Sequence, residues 1–121
     1  MNTPKIHESE YRFCLIMWEH EPVTAVELVK LCQQQLGWKR TTTYTVIKRL
    51  AERGVLQSKD GFVTALVSKE AAQTHEINQL VEEKFQGSLP AFVAAFTRRK
   101  DISEHELDEV QRMIDRIRNG G

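Results

Sequence analysis

The sequence has little from which a catalytic site could be built. It holds two cysteines in 121 residues, Cys14 and Cys32, each inside an apolar helical pattern and not in a CxxC arrangement. They read as two reduced core thiols of a cytosolic protein. The four histidines, His7, His20, His75 and His105, are scattered, each beside an acid or a helix end, the ordinary placing of surface histidines. No Ser/His/Asp or Cys/His set can be brought to one pocket, and no GxGxxG, P-loop or HExxH is present. Neither an enzyme, a metal site nor a bound cofactor is expected. Runs of ~18 apolar residues are absent, so no membrane span is expected. The N-terminus MNTPKIHESE has no apolar h-region, so no signal peptide and a cytoplasmic location are expected. Low-complexity segments and internal repeats are missing as well.

Net charge is also missing: 17 Lys and Arg balance 17 Asp and Glu. The distribution is uneven. Residues 38–61 carry six cations, Lys39, Arg40, Lys48, Arg49, Arg53 and Lys59, against Glu52 and Asp60. That stretch is the basic pole at +4, and the remainder stands at −4. A hydrophobic content of 40% fits a folded chain.

Around this pole the chain reads as a winged helix-turn-helix. Glu8–His20 is a first helix, with Tyr11, Cys14, Met17 and Trp18 on one face and Phe13 beside them. Glu21-Pro22 ends it, because the residue before proline avoids the α region. Thr24 and Glu27 form a capping box, and Val23 and Leu28 a hydrophobic staple, for a second helix running to about Leu36. Gly37 is its C-cap. A third helix, about Arg40–Arg53, follows after a short turn and stops at Gly54. Its core stripe is Thr43, Val46, Ile47 and Leu50. Thr41, Thr45 and Lys48 point the opposite way, flanked by Tyr44 and Arg49. Val55–Lys59, the type I′ turn Asp60-Gly61 and Phe62–Val67 make a hairpin, the wing.

From Ser68 onward the pattern is helical and thin. Ile77, Leu80, Val81 and Phe85 mark one helix, and Leu89, Phe92, Val93 and Phe96 a short second one with Pro90 in its first turn. Arg98-Arg99-Lys100 is a basic connector, read as solvated helix-end charge. Ser103 with Glu106 and Ile102 with Leu107 open a last helix, whose seam is Leu107, Val110, Ile114 and Ile117. Three such helices bury too little alone. Their stripes need a partner, most economically the same segment of a second chain. The expected organisation is a DNA-binding domain over residues 1–67 and a helical dimerisation region over 68–121. Leu80, Phe85, Phe92, Phe96, Leu107, Val110, Ile114 and Ile117 would form the dimer contact.

The outward face of the third helix, rich in hydroxyls and cations, suits a partner with acceptors and negative charge. Double-stranded DNA offers both. In this reading Thr41, Thr42, Tyr44, Thr45 and Lys48 face the major groove, while Arg40, Arg49, Arg53 and Lys59 neutralise phosphates. Two other readings compete. One is a winged-helix protein–protein assembly module without sequence-specific DNA binding. The other is a ligand sensor, for which the sequence supplies no convergent polar groups.

Four blocks carry a family resemblance: Glu10 to Glu19, EYRFCLIMWE; Val23 to Val29, VTAVELV; Thr42 to Leu50, TTYTVIKRL; and Ala95 to Ser103, AFTRRKDIS, before an acidic-apolar helix. In this order they resemble the penicillinase-repressor family of bacterial winged-helix repressors, across nearly the whole chain. The resemblance implies a homodimer that binds a palindromic operator and blocks transcription, with Thr42, Thr45 and Arg49 matching the family's Thr, Thr and Arg. It also implies a link to a membrane sensor protease that ends repression by cutting before a phenylalanine, here Phe96. Three departures stand out. Ala95 replaces the family's asparagine before that bond, the cysteine-rich motif of the copper-responsive branch is missing, and Phe62 and Val63 replace the tyrosines many members carry at the wing.

Overall fold

The computed structural model describes residues 3–99 and 101–120. Helix α1 (Glu8–His20) is followed by the short strand β1 (Val23–Thr24), α2 (Ala25–Leu36), α3 (Arg40–Glu52), the hairpin strands β2 (Leu56–Lys59) and β3 (Phe62–Ala65), then α4 (Lys69–Phe85), α5 (Leu89–Phe96) and α6 (Glu104–Arg118). The fold is mainly helical with a small antiparallel sheet, a winged helix-turn-helix with a helical tail. The basic connector's Lys100 and the terminal Gly121 lie outside the described residues.

The chain divides into two compact units, Met1–Ile77 and Asn78–Gly121. The division falls inside α4, although the change in sequence character falls after Val67. Ala72, on the first half of α4, is buried among the core residues of the first unit.

The first unit is built on a core of Phe13, Cys14 and Met17 from α1, Leu28 and Cys32 from α2, Leu50 from α3 and Val63 from β3, all fully buried. Each Leu, Phe or Met so placed contributes about 1.5–3 kcal/mol relative to exposure. Capping fixes the helix starts. Thr24 Oγ1 accepts the Glu27 N–H at 3.1 Å, so the first half of the expected capping box opens α2. Gly37, at φ 69°, closes α2 in the left-handed conformation that glycine adopts without cost.

Strand β1 is an element that the residue pattern did not announce. Its two residues read only as a staple and a cap, yet Val23 pairs with Val63 and Thr24 with Phe62, completing a three-stranded sheet in the order β1-β3-β2. The wing register is Leu56 with Ala65, Gln57 with Thr64, Ser58 with Val63 and Lys59 with Phe62. Asp60 and Gly61 both have positive φ, 55° and 83°, as a type I′ turn requires. The return strand is shorter than expected, ending at Ala65. There the Ala65 N–H donates to Glu21 Oε1 at 2.8 Å, and the Leu66 and Val67 N–H groups both turn to the Val55 carbonyl. Trp18 is half-buried against the core, and its indole N–H donates to the Val67 carbonyl at 3.0 Å.

In the second unit Ser88 caps α5, accepting the Ala91 N–H at 3.1 Å, and Ser103 with Glu106 forms a complete capping box on α6. Phe85 meets Phe92 edge-on at 5.6 Å, and Phe92 lies 6.5 Å from Phe96. Neither α5 nor α6 has a buried residue.

Candidate nucleic-acid interface

Helix α3 presents two opposed faces. Thr43, Val46, Ile47 and Leu50 are buried, as the 3.6-residue period requires. Arg40, Thr41, Thr42, Tyr44, Thr45, Lys48 and Arg49 are all exposed. No acid interrupts the face before Glu52. The Arg40 guanidinium lies over the Tyr44 ring at 5.6 Å, which steadies both long side chains at the first turn. Arg40, Lys48, Arg49 and Lys59 form no ion pair among the described residues. Their charge is therefore open to an external anion.

Lys59 stands at the wing tip, directly opposite Phe62, which is 48% exposed. Cross-strand neighbours share a face of the sheet, so the cation sits beside an aromatic ring on the outer side of the wing. The structure thus brings Arg40, Thr41, Thr42, Tyr44, Thr45, Lys48 and Arg49 onto one helix and leaves Lys59 free on the wing.

Arg53 is the exception. It is not an open phosphate ligand: its Nη2 is ion-paired with Glu10 Oε2, and its Nη1 donates to the Lys5 carbonyl at 2.8 Å. Arg53 lies one turn beyond Leu50 on the core side of α3, while Glu10 occupies the core face of α1 and is almost fully buried. Burial pushes the Glu10 carboxyl up, but the His7 N–H, 2.9 Å from Oε1, and the Arg53 guanidinium together hold it below the usual carboxylate range. Only the need for a partner was visible as a pattern: Glu10, Phe13, Cys14 and Met17 follow i, i+3, i+4, i+7, and an acid on that stripe demands a cation without saying which.

The thiols behind α3 are inert. Cys14 is pushed up to about 12, chiefly by burial and further by the Glu10 charge. The Cys32 thiol is also pushed up by burial, and the Thr43 oxygen Oγ1 is buried with no hydrogen-bond partner among the described residues.

The expected dimer residues are open to solvent in the single chain. Leu80, Phe96, Leu107, Val110, Ile114 and Ile117 are exposed, Ile117 by 76%, while Phe85 and Phe92 are half-buried against each other. Phe96 is the last residue of α5, with the Arg99 guanidinium over its ring at 5.3 Å and Arg99 in turn paired with Asp101. No helix among the described residues is long and apolar enough to cross a membrane.

The family model described as penicillinase repressor matches residues 6–116. The methicillin resistance regulatory protein MecI of Staphylococcus aureus strain Mu50 is 23% identical over 118 residues, covering 94% of this chain and 96% of that protein. The penicillinase repressor of Bacillus licheniformis is 22% identical over 120 residues, covering 96% of this chain and 94% of that protein. Among solved structures, Staphylococcus aureus MarR in complex with salicylate and kanamycin superposes with a TM-score of 0.48 at 18% identity, over 93% of this chain and 71% of that one.

Proposed function

The chain belongs to the penicillinase-repressor family of transcriptional regulators, and from that premise we propose that it is a dimeric repressor reading a palindromic operator. Helix α3 enters the major groove. Thr41, Thr42, Tyr44, Thr45 and Lys48 face base edges and groove walls, and Arg40, Arg49 and Lys59 take phosphates. A threonine can set its methyl against a thymine methyl and its hydroxyl on a base or phosphate. One observation carries the reading: a helix anchored on one side by four buried residues offers, on the other, hydroxyls and cations without ion-pair partners.

Residues 68–121 pair two chains. The support is the row of exposed apolar side chains from Leu80 to Ile117, which water alone leaves uncovered. Two-fold pairing suits half-sites about one helical turn apart, ~34 Å. The repressor works in the cytoplasm, and relief by a membrane sensor protease would act at the Ala95–Phe96 bond, in the last turn of α5.

Selection of bound DNA from a random pool at physiological salt tests the proposal. A recovered palindrome with half-sites one turn apart is the expected result. Failure to enrich any sequence would favour the protein–protein assembly module instead.

A further inference from the structure

We infer that residues 3–7 are a strap between the end of α3 and the first half of α4, with Arg53 as its fixed point. The strap ties these elements together within the first compact unit and does not depend on the operator reading above.

The observations begin at Arg53. One guanidinium nitrogen holds the Lys5 carbonyl at 2.8 Å and the other holds Glu10, whose second oxygen accepts the His7 N–H at 2.9 Å. A single ion pair therefore fixes the backbone on both sides of Ile6. Ile6 itself is 8% exposed and belongs to the core. Thr3, Pro4 and Ile6 line one small cleft, of about 10 Å³, together with Tyr11 of α1 and Ala72, His75 and Glu76 of α4.

Helix α4 is anchored before its start by Val67, which is buried and hydrogen-bonded to Trp18 and Val55, but within the helix Ala72, a single methyl group, is the one buried residue among those described. Apolar burial of that size does not hold a helix of 17 residues at a fixed angle. A buried ion pair adds little net stability over an apolar pair of the same volume, but it demands one geometry. Glu10–Arg53 thus contributes position more than stability.

Two variants test this. Deleting residues 1–6 removes the strap. The pair Glu10→Leu with Arg53→Leu removes its polar fixing without stranding a buried charge. Cooperative thermal unfolding establishes that each variant is folded. The readout is amide hydrogen exchange. Exchange in residues 69–77 should rise by about tenfold or more in both variants, with α3 amides unchanged. Unchanged exchange in α4 overturns the strap.

Discussion

Lys48 sits at the centre of the exposed face of α3, without a carboxylate partner among the described residues. Lys48→Ala should weaken operator binding by roughly 1–2 kcal/mol and reduce the salt dependence of affinity. A salt slope that stays put in this variant, measured by titration at several ionic strengths, would remove Lys48 from the backbone contacts. Glu10 makes a prediction of a different kind. Its carboxyl is held below its ordinary value of 4.5, so the stability it contributes is fully present above that value and drains away as pH falls through the folded value. Denaturant melts from neutral pH to about pH 3 should show that loss, and Glu10→Gln should flatten it. Behind the reading face, Thr43 buries an oxygen with no partner. Thr43→Val removes that oxygen and should raise stability by about 1 kcal/mol without altering DNA affinity. A loss of stability would mean that the hydroxyl finds a partner in solution.

At the scale of elements, α6 supports the sharpest test. Its seam residues Val110 and Ile114 are 47% and 44% exposed in the single chain, so a charge there strains nothing within it. Ile114→Asp should give a monomer by sedimentation at micromolar concentration and cost about a hundredfold in affinity for a palindrome, while half-site binding persists. Dimers unchanged in this variant would move the contact elsewhere. Elements were the most legible level of the sequence. The bounds of α1, the Thr24 and Ser103 caps, the Asp60-Gly61 turn and the exposed face of α3 all follow from local patterns that the fold respects. What local pattern did not carry was the long-range pairing. Val23 and Thr24 form a strand only because Val63 and Phe62 lie beside them, and Arg53 turns inward only because Glu10 is buried opposite. Neither partner is within reach of a periodicity argument made on one element at a time. Composition placed Arg53 in the basic pole; its position one turn after Leu50 was the clue that its guanidinium turns back toward α1.

At the scale of the molecule, charge and surface divide the labour. The basic pole lies in the first unit and the unpartnered apolar surface of the tail in the second. Four open cations per reading head, Arg40, Lys48, Arg49 and Lys59, bound the salt slope of a two-headed complex at about −7, and removing Lys48 from both heads should lower its magnitude by about 2. A slope near half that bound would mean that one head engages at a time.

Helices α5 and α6 keep no buried residue of their own. For a repressor that acts as the proposed pair, this would turn copy number into a control. If pairing is weak beside the prevailing protein level, the amount of two-headed species grows as the square of the chain concentration. Promoter occupancy then follows that square. A twofold fall in synthesis would cut the active species about fourfold, so dilution by growth would itself sharpen the release of a repressed gene.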